Sequence, residues 1–362
     1  MSTTTTTRSE AVLQTQLKTR QYPEPLSVSG ALDRNQYEEL TPVIGREYPS
    51  VNLVDDIINA KNADELIRDL AITISQRGVV FFRAQDNLTD DTHKALVQRL
   101  GELVNKPSES TLHIHPLLNG THEFGVTDNE ISTISSQAFK ALGIGQKDRD
   151  DRKGGAASWH SDIQFEPYPA DYTSLRLTQL PSSGGDTLWA SGYEIYDRFS
   201  DHYQKFLEGL TATFRGEGFI KAADARPDKF QIYEKPRGNP ANIGRELTAV
   251  HPVVRTNPVT GWKSVFAIGN FPQRINELSA RESKELLELL YKRIEENHDL
   301  QVRFKWRAKN DIAFWDNRSV FHSATNDYDN LGDRVGHRAV GIGEEPYLDP
   351  QSQSRTDALG SN

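Results

Sequence analysis

Trp159-His160-Ser161-Asp162 sets an imidazole and a carboxylate one residue apart. In a β-strand, or at its end, alternate side chains share a face, so both groups can approach one metal ion. One further histidine from a distant strand would complete two imidazoles and a carboxylate on one face of the metal. That set suits Fe(II) and leaves positions open for other ligands. A lone His-x-Asp arises often by chance, and its weight here comes from the residues downstream. The last third of the chain contains Asp316-Asn317-Arg318-Ser319-Val320-Phe321-His322, and His322 is the candidate third ligand. Arg334 lies past a loop, at the start of a strand returning toward the site, where its guanidinium could grip a carboxylate with two hydrogen bonds. Arg338 falls on the same face if that strand is regular, so two anions could be held near one metal.

The elements that must position these groups are legible from pattern and punctuation. The chain has 362 residues, 36% hydrophobic and 26% charged, enough for one large or two ordinary domains with a sizeable core. Its formal charge of −9 argues against nucleic acid or an anionic membrane as a general partner. No apolar run is long enough to cross a bilayer, and the Thr-rich start lacks the apolar core of a signal peptide, so the cytoplasm is the default. The absence of cysteine excludes disulfides, zinc ribbons and thiol nucleophiles. Any metal is left to His, Asp, Glu or backbone oxygen.

Residues 1–50, polar and broken by Pro23, Pro25, Pro42 and Pro49, read as a flexible tail and extended arm. One domain is expected over 51–348, and a disordered tail over 349–362. Asn62-Ala63-Asp64-Glu65 resembles a capping box opening a helix that ends at Gly78, and Val79-Val80-Phe81-Phe82 is a buried strand. A second helix runs from Asp90 or Asp91 to Gly101. Residues 102–158 read as loop, with a charged, mobile run over 146–153. Strands are expected at 173–177, 187–189, 251–255, 264–268, 301–306, 311–315 and 335–342, with helical structure over 193–210. The Pro/Gly-rich stretch 215–250 suits a lid or insertion. Ser279-Ala280-Arg281-Glu282 is a capping box for a helix whose Leu286, Leu287, Leu290 and Ile294 form a packing face. Many short strands with few helices predict a mainly β fold with flanking helices and a double-stranded β-helix, or jelly-roll, core. His251 and His337 read as hydrogen-bonded or packed, Trp189 and Trp315 as core, and Phe219 as a candidate pocket wall.

Taken together, these motifs resemble the taurine dioxygenase family of Fe(II)- and 2-oxoglutarate-dependent oxygenases, and within it the fungal sulfonate dioxygenases. The resemblance spans about residues 79–346. It rests on Trp159-His160-Ser161-Asp162, the run Leu180 to Trp189, His251-Pro252-Val253-Val254-Arg255, the run Asn310 to Arg318, and His337-Arg338-Ala339. It implies Fe(II) on His160, Asp162 and His322, with 2-oxoglutarate and O2 as cosubstrates. It places Thr187 with Arg334 on the distal carboxylate of 2-oxoglutarate. Arg338 falls at the position meeting a substrate sulfonate, and His115, in His113-Ile114-His115-Pro116, at a histidine also facing it, with His113 its competitor. The expected reaction hydroxylates an organosulfonate at the carbon bearing sulfur, giving sulfite, an aldehyde, succinate and CO2. A sulfate ester or a carboxylate is the alternative substrate. Taurine-specific members carry a tyrosine where this chain has Leu118 and an asparagine where it has Ala156, so a taurine-like head group lacks its partners. Asp162 leaves no opening for a halide, so halogenation is not expected. The remaining partner expectation is self-association as a dimer or tetramer. The competing classes are a non-catalytic binding module, to which loss of His160, Asp162 or His322 would point, and a metal hydrolase, in which an arginine aimed at a dicarboxylate has no job.

Overall fold

The computed structural model describes residues 22–119, 126–137 and 158–360. The chain enters through two short strands, β1 (Glu38–Glu39) and β2 (Arg46–Tyr48), before helix α1 (Ala63–Arg77). Strand β3 (Val79–Phe82), helix α2 (Asp90–Glu102), β4 (Ser132–Ser135), β5 (Ala170–Gln179) and β6 (Thr187–Ser191) follow. Helices α3 (Gly192–Asp197) and α4 (Asp201–Glu208) lead to β7 (Thr211–Arg215) and helix α5 (Glu217–Ala225). Then come β8 (Thr248–Pro252), β9 (Val254–Thr256), β10 (Lys263–Val265), β11 (Pro272–Ile275) and helix α6 (Ala280–Glu295). The chain closes with β12 (Gln301–Phe304), β13 (Ile312–Asp316), β14 (Val320–Ala324), β15 (Val335–Ile342) and helix α7 (Arg355–Leu359).

A seven-stranded sheet in the order β1-β2-β3-β13-β5-β15-β4 forms the frame. Its side chains divide by the two-residue period of a strand. Val80, Phe82, Ile312 and Phe314 face helices α1 and α2, packing with Leu66, Leu70, Leu96 and Leu100. Phe81, Ala313 and Trp315 face the other way, onto Trp189, Val302 and Phe304 of a three-stranded sheet ordered β12-β6-β14. Phe81 stacks on Phe304 with ring centres 4.0 Å apart, and Trp189 meets Trp315 edge-on at 5.7 Å. A run such as Val79-Val80-Phe81-Phe82 is apolar at every position because both of its faces are covered. Helix α6 buries Leu286, Leu290 and Ile294 against Phe214 and Phe266, beside the sheet β11-β7-β8.

Several expectations need correction. The arm does not run free to residue 50, because β2 pairs in parallel with β3 and buries Tyr48. The tail is not disordered over 349–360: it forms α7, and Arg355 pairs with Glu194 at 2.9 Å. The loop 102–158 contains β4, which pairs with β15 at the sheet edge. Asn62 does not cap α1 through its side chain, which donates to Glu65 instead. The capping box at Ser279 and Glu282 forms in full. The stretch 215–250 divides in two. Helix α5 stands at its start, whereas the segment after it is anchored by Arg237, which is fully buried. Gly238, at φ +84°, lets that segment touch Leu112, whose carbonyl oxygen a Cβ would meet at 2.6 Å. No helix among the described residues is long and apolar enough to cross a membrane.

Candidate active site

The site grows from one backbone contact between distant parts of the chain. His160 and His322 exchange hydrogen bonds, His160 N–H to the His322 carbonyl at 3.1 Å and the reverse at 2.8 Å. That antiparallel bridge sets the two imidazoles side by side, with ring centres 4.2 Å apart. Gly269, at φ +111°, closes in behind them, and a Cβ there would meet the Trp159 carbonyl oxygen at 2.6 Å. Asp162 is carried by a turn rather than a strand, but the turn delivers its carboxylate to the same place. One ligand atom from each of His160, Asp162 and His322 lies within 4.8 Å of the other two.

The protonation states suit a cation. The Nδ1–H of His160 donates to the Ser158 carbonyl at 2.8 Å, which leaves Nε2 with its lone pair. Burial, then the neighbouring His160, pushes His322 down to about 3, so its ring is neutral near pH 7. Burial opposes ionisation of Asp162, but Arg338 and the two imidazoles outweigh it and hold the carboxyl at about 2. His322 Nδ1 and Asp162 Oδ2 are both buried without a hydrogen-bond partner of ordinary geometry. Two imidazoles, one carboxylate and the orphaned Asp162 Oδ2 are what a bound divalent metal would satisfy.

Two arginines approach, Arg338 from β15 and Arg334 from the residue just before it. Arg338 Nη1 donates to Asp162 Oδ1 at 2.7 Å, so its guanidinium lies at the edge of the triad. Arg334 is buried, with Nε donating to the Gly185 carbonyl at 2.9 Å and Nη2 to the Thr187 hydroxyl at 3.3 Å. No carboxylate pairs with it among the described residues, and burial draws its pKa down. Trp306 Nε1 donates to the same Thr187 oxygen at 3.2 Å, a contact no sequence pattern foretold.

His115 is buried and accepts at Nδ1 from the backbone N–H of Leu117 at 3.1 Å and of Leu118 at 2.8 Å. Burial, followed by the charge of Arg338, takes its pKa well below the usual histidine value, so Nε2 carries the proton. Phe219 packs edge-on against this ring at 4.9 Å and also meets Phe165 and Phe271. His113 points elsewhere, to Glu166 Oε1 at 3.3 Å. Glu166 in turn forms a buried two-point pair with Arg237, at 2.5 and 2.9 Å. This brace was not foreseen, since Glu166 and Arg237 carry no motif. The Nε2–H of His251 donates to the carbonyls of Gln164 and Glu166, both at 3.0 Å, which fixes the chain just beyond Asp162. Leu118 lies with Phe219 in one apolar cluster. Ala156 and the run 146–153 lie outside the described residues.

Comparison with known proteins gives this geometry a context. A family model described as "Taurine catabolism dioxygenase TauD, TfdA family" matches residues 36–340. The chain is 49% identical to the α-ketoglutarate-dependent dioxygenase btcD of Neocamarosporium betae, over 92% of this chain and 98% of the relative. It is 31% identical to an α-ketoglutarate-dependent sulfonate dioxygenase of Saccharomyces cerevisiae, over 86% of this chain and 68% of that protein. Among solved structures, a taurine dioxygenase from Burkholderia xenovorans superimposes with a TM-score of 0.63 at 27% identity, covering 88% of this chain and 92% of the other.

Proposed function

The chain belongs to the TauD/TfdA family of dioxygenases, and from that premise we propose that it hydroxylates an organosulfonate at the carbon bearing sulfur. It is an α-ketoglutarate-dependent dioxygenase, with Fe(II) as its metal and 2-oxoglutarate and O2 as cosubstrates. In this reading His160, Asp162 and His322 hold the metal. Fe(II) held there would supply the coupling of 2-oxoglutarate's oxidative decarboxylation to hydroxylation of the substrate, and the hydroxysulfonate would collapse to sulfite and an aldehyde.

The protein's own groups bind, orient and exclude water. Arg334 and Thr187 receive the distal carboxylate of 2-oxoglutarate, guanidinium and hydroxyl together. Arg338 and the Nε2–H of His115 receive the substrate anion. Phe219, with Phe271 and Leu118, gives that side of the site an apolar wall. No side chain is assigned a proton-transfer role. The double-stranded β-helix core, formed by the seven-stranded sheet over β12-β6-β14, is part of the same reading, as is a cytoplasmic homo-oligomer.

The observation that carries the substrate proposal is the 2.7 Å contact of Arg338 with Asp162, since it sets a cation at the edge of the metal triad. An anion gripped there would hold its α-carbon near the metal. The apolar wall disfavours taurine, and a sulfate ester fits the same single charge. The test is a panel of alkyl- and aminoalkylsulfonates, alkyl sulfates and carboxylates, assayed for succinate and sulfite with Fe(II), 2-oxoglutarate and O2. Sulfite from alkylsulfonates is expected. Turnover of sulfate esters or carboxylates alone would reject the sulfonate.

A further inference from the structure

Asn317 belongs to the motif Asp316-Asn317-Arg318 and supplies no ligand atom to the metal triad. It is fully buried, on the turn between β13 and β14. Its neighbours are absorbed by one another: Arg318 pairs with Asp316 at 2.7 and 2.8 Å, and Asp316 accepts from Ser75 and Asn257. Asn317 faces the other way, toward the metal triad.

Its side-chain oxygen accepts from Asp162 N–H at 3.0 Å and from Trp315 Nε1 at 3.1 Å. Its carbonyl accepts from the Ser161 hydroxyl at 2.7 Å. Its side-chain nitrogen donates to Thr173 Oγ1 at 2.7 Å and to the Asp171 carbonyl at 3.2 Å. One residue therefore ties three pieces of chain together: the turn bearing Asp162, strand β5, and the hairpin whose second strand bears His322.

The turn needs such a tie. Ile163, directly after Asp162, sits at φ +47°, a left-handed conformation that a β-branched residue avoids. Strain of this kind persists only where the surroundings over-determine it. The peptide N–H of Asp162 precedes that residue and is held by Asn317, while Ser161 is held by the same residue from the other side.

We propose that Asn317 is a positioning residue for the metal: it clamps the strained turn of Asp162 to the hairpin of His322 and so sets metal affinity. The proposal rests on the reading of His160, Asp162 and His322 as ligands. Outer partners of this kind are worth roughly 10- to 100-fold in metal affinity.

The probe is Mn(II), titrated into the full chain and read from the electron paramagnetic resonance signal of the free ion. Asn317→Ala is expected to weaken binding about 10- to 100-fold. Its 2-oxoglutarate affinity at saturating Mn(II) should stay within about 2-fold, because Arg334 and Thr187 make no contact with Asn317. Asn242→Ala is the control for destabilisation alone: Asn242 is fully buried and holds both backbone groups of Tyr168. It should lower the melting temperature and leave Mn(II) affinity unchanged. A folded Asn317→Ala protein with wild-type affinity overturns the proposal, and so does an equal loss in Asn242→Ala. Should Asn317→Ala not fold, Ser161→Ala decides. It removes one hydroxyl, and about a 10-fold loss is expected, the lower end for an outer partner. Unchanged affinity in that variant overturns the clamp. Wild-type protein that binds no Mn(II) overturns the ligand assignment as well, whereas wild-type binding with an unaffected variant overturns the clamp alone.

Discussion

Arg334 allows a prediction with two opposite signs. In the protein alone its guanidinium is buried, with a carbonyl and a hydroxyl as partners and no carboxylate pairing among the described residues. Burying a cation without a counter-charge costs several kcal/mol, and two neutral hydrogen bonds at about 1 kcal/mol each do not fully offset it. Arg334→Met should therefore leave the melting temperature of the ligand-free protein unchanged or raise it. For 2-oxoglutarate the sign reverses. Losing a buried charged hydrogen-bond pair costs about 2–5 kcal/mol, so the dissociation constant should rise by roughly 30- to 5,000-fold. Mn(II)-loaded protein melted with and without 2-oxoglutarate reads both effects. Ligand at about 100 times its dissociation constant stabilises the wild type by about 2.7 kcal/mol. At about 1.3 °C per kcal/mol for a chain of this size, that is a shift of about 3.5 °C. The shift should fall to about a third of that or less in Arg334→Met. A variant that binds 2-oxoglutarate within about 5-fold of wild type would refute the reasoning, since the loss of a buried charged pair costs about 30-fold at the least.

The other predictions concern the brace, the buried histidines and the anion grip. Arg237→Met strands Glu166 in the interior and should destabilise by about 3–5 kcal/mol in urea unfolding, while the double variant with Glu166→Gln should lose less than the two singles together. Burial and the charge of Arg176 push His93 down to about 3, and burial and the charge of Arg255 push His251 down to about 4. Above pH 6.5 both are neutral, folded or unfolded; below it the unfolded chain takes up protons first. Stability should therefore fall as pH drops from 6.5, by about 2 kcal/mol per histidine at pH 5. His251→Asn should show a shallower acid slope in the same melts. His115→Phe removes an Nε2–H donor and should raise KM for the turned-over anion about 10-fold, leaving 2-oxoglutarate binding unchanged. An unchanged KM would remove His115 from the anion site.

The sequence disclosed those features whose signals are local. Val79–Phe82 and the helix from Ser279 were legible because burial and capping act over a few residues, and strand 335–342 because its turn and apolar positions are local too. The convergence of His160, Asp162 and His322 was legible because their chemistry limits which residues are worth bringing together. Strand β4 escaped notice because its Ser132-Thr133-Ile134-Ser135 is polar, and it is held by pairing with β15 rather than by its own pattern. The stretch read as a lid or insertion hid its anchor for a related reason. Proline, glycine and charge between 226 and 247 look like solvent-exposed loop. One buried arginine, Arg237, turns that composition into a fixed brace, and its partner Glu166 lies 71 residues earlier. The tie from Asn317 to Asp162 spans 155 residues, beyond any local pattern.

The charges in the site constrain the substrate further. Asp162 is an anion, Arg334 and Arg338 are cations, and His115 and His322 are neutral. With His160 as a neutral ligand, these side chains hold one net positive charge. A divalent metal and the dianion of 2-oxoglutarate cancel each other, so the loaded site keeps that single positive charge. One monoanion brings it to zero. A zwitterion leaves the positive charge uncompensated, and a phosphate-like dianion leaves a buried negative one, each at a cost that only further paired groups could offset. His115 cannot adjust the balance, because its Nδ1 is committed to two backbone N–H groups. The apolar ring of Phe219 above it offers an ammonium nothing stronger than its π face. In the proposed reading, neutrality therefore favours a sulfonate, a sulfate monoester or a carboxylate with an uncharged body. Turnover that favours aminoalkylsulfonates over alkylsulfonates of equal length would show that a charge outside these residues enters the site.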